Sequence, residues 1–298
     1  MKDIKLYNEL MTKGMADKLF FVDKLNELFN KDMTEEISCI VDFGCADGTM
    51  SRELRKFYPK ALIIGYDESA TQIELAEAKG DIPNVLFTTH LEKVADYING
   101  ERARGKVMLV LSSVLHEIIH YHNYATNPTI TIFEDFIKKN PFDFICIRDM
   151  KYEKIFDKET FESEYAKSEE YLADFVRSEE FNKYWDRWCE HRAIRNLKRA
   201  YPTEKELVQF LLKRTYVVNW DRECAEDYFS FDNKFKDLFF DNNGYKAIYS
   251  HKYTLPYFKD STVEEFKYSE YIKWLLDSCT THCQMILTKM DDDYEWLN

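Results

Sequence analysis

The stretch ISCIVDFGCADGT, residues 37–49, decides the reading of this chain. ISCIVDFG is a β-branched, apolar run ending in Gly44, and TMSRELRKFY (49–58) follows as an amphipathic helix stopped by Pro59. Between them lies a strand-to-helix turn. Glycines at such a turn let the backbone approach a ligand, and the helix start offers free N–H groups. A dinucleotide fingerprint would require glycines where Ala46 and Thr49 stand, so that reading fails. The chain has no GxxxxGK[ST] segment either, which excludes a P-loop. What remains is an acid followed by G-x-A-x-G: Asp42, Gly44, Cys45, Ala46, Asp47, Gly48. Acids beside the turn disfavour a pyrophosphate and suit a ligand carrying an amino group.

Outward from this turn the alternation continues. ALIIGYD (61–67) is a second apolar run ending in an acid, and SATQIELAEAKG (69–80) is a helix with a Ser N-cap and a Gly end. NVLFTT (84–89) reads as a strand, LEKVADYI (91–98) as a helix and KVMLVLSS (106–113) as a strand. A helical stretch with HEIIH comes next, then TIFEDFIKKN (131–140) as a helix and PFDFICIRD (141–149) as a strand. Strands apolar on both faces, alternating with helices, indicate a parallel sheet covered on both sides. Residues 151–240 break the rhythm: they are charged, aromatic and helical, with RTYVVNW (214–220) the one strand candidate. YKAIYSHKY (245–253) and THCQMILTK (281–289) return as strands. Residues 1–36 carry apolar positions at helical spacing, broken near Gly14.

Composition bounds the function. Hydrophobic residues make up 45% of 298, enough for a sizeable core, and 8 glycines with 6 prolines favour helices over many short strands. A formal charge of −13 repels phosphate backbones, so broad nucleic-acid binding is not expected. The 7 cysteines form no CxxC pair, MKDIKLYNELMTKG has no apolar h-region, and no run approaches a membrane span. The expectation is a reduced, soluble, cytoplasmic protein.

Asp67 ends the second strand about 20 residues after the turn, where a carboxylate can accept both hydroxyls of a ribose. It can equally cap the helix that follows. With these residues in place, the chain resembles the class I S-adenosylmethionine-dependent methyltransferases. VDFGCADGT (41–49) is similar to their first motif, and GYDES, with Asp67 and Glu68, to their second. NVLFTTHLEKV is similar to the third, KVMLVLSSVLHE to the fourth, FICIRDM to the fifth and THCQMILTK to the antiparallel seventh strand. The likeness covers about 37–150 and 241–290. Two departures stand out: Ala46 replaces the usual middle glycine, and Thr89 or His90 stands where an acid commonly meets the adenine.

The resemblance implies an α/β, Rossmann-like methyltransferase sheet, parallel with one antiparallel strand, carrying N-terminal helices and a helical insertion. Residues 1–36 would form a cap, 37–150 and 241–298 the core, and 151–240 a lid or substrate chamber. S-adenosyl-L-methionine is the implied cofactor. Its implied contacts are Asp42, Gly44, Cys45, Ala46, Asp47, Gly48, Asp67, Glu68, His90, Ser112 and Ser113. Ser112 and Ser113 can also be no more than a strand end. Lys18 and Tyr7, in the N-terminal helices, could close over the cofactor, with plain packing the favoured reading.

HEIIH (116–120) matches a zinc-protease helix, in which two histidines one turn apart hold the metal. The resemblance instead places SSVLHE beside the methyl group, and His122 lies on another part of the helix for a third ligand. No metal is therefore expected. His116 is the first candidate for a general base, with Glu117 and Asp149 behind it; His116 can also be a core histidine, and Asp149 a helix cap. No NPPY-type segment or Pro-Cys pair follows the fourth strand, which disfavours DNA methylation; the aromatic-rich insertion and acidic charge fit a small molecule or peptide better than duplex DNA, and a small molecule is the expected acceptor. RWCEHRAIRNLKRAYPTEK (187–205), with Arg187, Arg192, Arg195, Lys198, Arg199 and Lys205, leaves an RNA or protein acceptor open. A noncatalytic cofactor-binding module is the third reading.

Overall fold

The computed structural model describes residues 14–120, 128–155, 178, 179, 182, 186, 203–216, 220–229, 233–266 and 269–289. Two helices open it, α1 (Met15–Lys18) and α2 (Phe21–Phe29). Then come β1 (Ile37–Phe43), α3 (Thr49–Phe57), β2 (Leu62–Tyr66), α4 (Ala70–Ala78), β3 (Val85–Thr88) and α5 (Leu91–Glu101). They are followed by β4 (Lys106–Ser112), α6 (Leu115–His120), α7 (Pro128–Lys139) and β5 (Phe144–Lys154). After these lie α8 (Glu204–Lys213), α9 (Trp220–Ala225), α10 (Asn233–Lys236), β6 (Tyr245–Tyr253), α11 (Pro256–Glu265), α12 (Glu270–Asp277) and β7 (Cys279–Lys289).

The seven strands form one sheet in the order β3-β2-β1-β4-β5-β7-β6. From β3 to β5 every pairing is parallel. β7 runs antiparallel to β5. The start of β5 meets the end of β7, where Thr288 Oγ1 donates to the Asp143 carbonyl at 3.0 Å. The end of β5 meets the start of β7, where the Ile155 N–H donates to the Ser278 carbonyl at 3.0 Å. This is the Rossmann-like sheet with one antiparallel strand beside an edge that the resemblance implies.

The sequence forms these elements for local reasons. Ser69 caps α4 by accepting from the Gln72 N–H, and Gly80, at φ 90°, follows its end. β1, β4 and the first half of β5 are buried on both faces, as strands of a covered parallel sheet must be. β5 is longer than its apolar part: it runs on through half-buried Lys151 and Tyr152 and exposed Glu153 and Lys154, whose mostly charged composition hides a strand. RTYVVNW is not a strand at the positions described. Arg214 closes α8, Thr215 and Tyr216 turn, and Trp220 starts α9. At its two ends packing sets the structure: the Arg214 guanidinium is buried on Thr262 and Glu265, and Trp220 packs edge-on against Phe210, while 217–219 lie outside the described residues.

The chain divides into two compact units. One comprises residues 1–4, 150–230 and 252–283, and its core gathers Leu207, Phe210, Leu211, Phe258, Ile272 and Leu275. The other comprises residues 5–149, 231–251 and 284–298. In its core Phe21, Leu25, Ile40, Leu54, Ile63, Val110 and Ile286 pack together, so α2 and α3 cover one face of the sheet. Among the described residues, no helix is long and apolar enough to cross a membrane.

Candidate functional site

Parallel strands β1, β2, β4 and β5 all end at one edge of the sheet, where open α/β folds hold ligands. The turn from β1 to α3 is drawn tight there. The Gly44 and Cys45 N–H groups both donate to the Tyr66 carbonyl, at 2.8 and 2.9 Å. Gly44, Ala46 and Gly48 have φ of 75°, 48° and 71°. A Cβ on Gly44 would lie 2.6 Å from Val114 Cγ2, and one on Gly48 would lie 2.5 Å from the Phe87 ring. Both positions therefore demand glycine on two counts, handedness and space. Ala46 occupies the left-handed region with a side chain, at a cost of about 1–2 kcal/mol.

Asp67 spans this turn from the end of β2. Its Oδ2 accepts from the Ala46 N–H and its Oδ1 from the Ser69 N–H, each at 2.9 Å. The helix cap itself is supplied by Ser69, so Asp67 is not the N-cap of α4. Asp47 is committed locally. Its Oδ1 accepts from Thr49 Oγ1 at 2.7 Å, and its Oδ2 pairs with Lys79 at 2.6 Å. Burial alone would raise this carboxyl; the Lys79 and Thr49 bonds outweigh it and hold the group below the ordinary carboxylate range. Cys45 is buried, and burial keeps its thiol protonated. Glu68 and His90 are exposed, and the His90 side chain makes no cap bond at the start of α5.

Beneath the turn sits Asp42, fully buried. Its Oδ2 accepts from Ser51 Oγ at 2.6 Å, while Oδ1 has no hydrogen-bond partner among the described residues. Burial pushes this carboxyl up to about 6, against the Ser51 bond and the Lys18 charge. Lys18, at the end of α1, is 8% exposed. Burial pushes its amine down to about 8 and the Arg148 charge acts the same way, against Asp42, Asp17 and Asp149. Lys18 thus belongs to the polar cluster at the strand ends. The hydroxyl of Ser112, buried at the end of β4, has no hydrogen-bond partner among the described residues.

The segment after β4 is held by two consecutive residues of β5. Ser113 has φ 57°, its N–H donates to the Arg148 carbonyl at 2.8 Å, and its hydroxyl accepts from Arg148 Nη1 at 2.9 Å. Asp149 is fully buried, and its Oδ2 accepts from the N–H groups of Leu115 and His116 at 2.8 and 3.2 Å. Its Oδ1 lies 2.7 Å from His116 Nδ1. Asp149 therefore fixes both the start of α6 and the ring of His116, whose other nitrogen is Nε2. Glu117 is half-buried on the same helix. The side chain of His120 and the whole of His122 lie outside the described residues, as do Tyr7 and the basic positions Arg187, Arg192, Arg195, Lys198 and Arg199. Lys205 is described, and its amine donates to the Phe229 carbonyl at 3.3 Å.

Sequence reasoning passed over Ser51, Lys79 and above all Arg148. An arginine inside the apolar run FICIRDM was the available signal, because a buried arginine requires partners.

No protein-family model matches this chain, and no curated protein matches it. Solved structures do. A plantazolicin methyltransferase, BpumL, in complex with a pentazolic desmethylPZN analog and SAH, is 14% identical over 97% of this chain and 90% of its own, with a TM-score of 0.45. A SAM-dependent methyltransferase from Anabaena variabilis is 11% identical over 85% and 77%, with a TM-score of 0.43. PKMT2 from Rickettsia typhi, in complex with AdoHcy, is 13% identical over 91% of this chain and 52% of its own, also at 0.43.

Proposed function

We propose that this protein is an S-adenosyl-L-methionine-dependent methyltransferase acting on a small molecule. The observation that carries this reading is Asp42: a fully buried carboxylate beneath a glycine turn, with one oxygen lacking a partner among the described residues. A buried unpaired oxygen costs about 1–3 kcal/mol, and an amino group bound there would satisfy it. The rest of the strand edge fits the same ligand. The turn between Gly44 and Gly48 admits close backbone approach, and Asp67 lies across it at the end of β2, where a carboxylate can accept ribose hydroxyls. Ser112 adds a hydroxyl with no hydrogen-bond partner among the described residues. Exposed His90 is the candidate for the adenine side. S-adenosyl-L-methionine would supply an electrophilic methyl on its sulfonium.

The residues of the chain then have positioning work. In-line attack requires the acceptor and the methyl carbon to be aligned in a site that excludes water. Asp149 holds His116 Nδ1, which directs Nε2 as the atom to receive an acceptor proton, and Glu117 is the second candidate for that task. Asp149 acts in this scheme through His116. Segment 151–240 is proposed to select the acceptor. The formal charge of −13 favours a small molecule over a polyanionic acceptor.

The test is a calorimetric titration with S-adenosylhomocysteine. Micromolar or tighter binding by the wild type, weakened at least about tenfold in Asp67→Ala, is the expected result. Absence of binding would overturn the reading. Binding with no methyl transfer to any acceptor pool would move the protein to the noncatalytic class.

A further inference from the structure

The side chain of Arg148 reaches two places that are far apart in sequence. Nη1 donates to the Ser113 hydroxyl at 2.9 Å, and Nε donates to Asp17 Oδ2 at 2.7 Å, in helix α1. Asp17 is fixed from a third side by Gln284 of β7, whose Nε2 donates to Asp17 Oδ1 at 2.9 Å and to the Asp17 carbonyl at 3.1 Å. The guanidinium is buried, so these bonds form where water competes weakly.

Ser113 is a strained residue, at φ 57°, directly after β4. It leads into Leu115 and His116, whose N–H groups and ring are held by Asp149. Consecutive residues of a strand point to opposite faces. Arg148 and Asp149 therefore grip the segment 113–116 from the two faces of β5. Asp149 fixes its far end. Arg148 fixes its near end and is itself fixed by α1.

We infer that Arg148 is a positioning residue which makes the placement of His116 depend on the docking of the N-terminal helix through Asp17. Without α1 in place, the buried Arg148 charge loses the Asp17 carboxylate, and the geometry at Ser113 loses part of its support. The consequence for turnover rests on the proposed role of His116; the coupling itself does not.

The coupling is read without cofactor or acceptor. Amide hydrogen exchange is followed in α1 and in 113–118, in the wild type, Asp17→Asn, Ser113→Ala and the double variant. The imidazole resonances of His116 are recorded in parallel. Asp17→Asn is expected to lower protection about tenfold in both segments and to shift the His116 ring signals. Ser113→Ala is expected to loosen 113–118 alone. The double variant should loosen 113–118 no more than the larger single effect, because both act through Arg148. The inference is overturned if Asp17→Asn loosens α1 while 113–118 and His116 stay unchanged, or if the two effects add. Should Asp17→Asn fail to fold, Ser113→Ala still decides: unchanged exchange and unchanged His116 signals would sink the inference. A wild type that binds no S-adenosylhomocysteine would defeat the proposed function and leave these outcomes readable.

Discussion

Asp42 and Lys18 are both buried at the strand ends, and burial moves their protonation in opposite directions, to about 6 and about 8. The raised Asp42 carboxyl binds its proton more tightly in the folded chain than in the unfolded one. Its contribution to stability is therefore full at low pH and is lost as pH climbs from the ordinary 3.8 through about 6. Lowered Lys18 has the reverse sense, and stability returns as pH rises from about 8 toward 10.5. Binding an amino group needs Asp42 ionised. S-adenosylhomocysteine affinity should thus fall below pH about 6, approaching tenfold per unit. Calorimetry at pH ~5 and ~7.5 checks it, and equal affinities would remove Asp42 from the ligand. Gly44→Ala should cost about 2–4 kcal/mol in denaturant unfolding, since it adds a left-handed alanine to an overlap with Val114. The turn was legible in the sequence because glycine spacing and an adjacent acid are local chemistry. Arg148 was not legible as a site residue and Lys18 was read in favour of packing, because their partners are distant: Asp17 lies 131 positions from Arg148.

At the scale of elements, most of the α/β alternation was readable from periodicity and caps. Ser69 before α4 and the apolar runs of β1, β2 and β4 fall where the pattern places them. The end of β5 is the exception: the composition of Lys151–Lys154 argues against a strand, and tertiary packing overrides it. α8 shows a local signal that was available and unused. Thr203 and Glu206 form a capping box: the Glu206 N–H donates to Thr203 Oγ1 at 3.2 Å and the Thr203 N–H to Glu206 Oε2 at 2.7 Å. Thr203→Ala should cost about 1 kcal/mol, read as a lower urea midpoint with unchanged slope. Thr203→Asp should retain most of it. An unaltered midpoint in Thr203→Ala would mean that α8 is held by its buried leucines and Phe210 alone.

At the scale of the whole chain, the thiols report on both compact units. Cys39, Cys45 and Cys146 are buried in one unit, and Cys279 and Cys283 are buried in the other. Burial pushes the Cys39 and Cys279 thiols up to about 12, so at neutral pH they are neither exposed nor ionised. Of the 7 cysteines, these 5 should resist a disulfide reagent in native buffer, leaving at most Cys189 and Cys224 to react quickly. Their release in denaturant then tests how the units are joined. β5, β6 and β7 each continue from one unit into the other, and they are neighbours in the sheet order. Losing the strand pairing within one unit frees the same three strands in the other. The protected thiols should therefore become reactive together, in one transition shared with the loss of helical signal. Release in two steps, Cys279 and Cys283 apart from the other three, would show that the units unfold independently despite the strands they share.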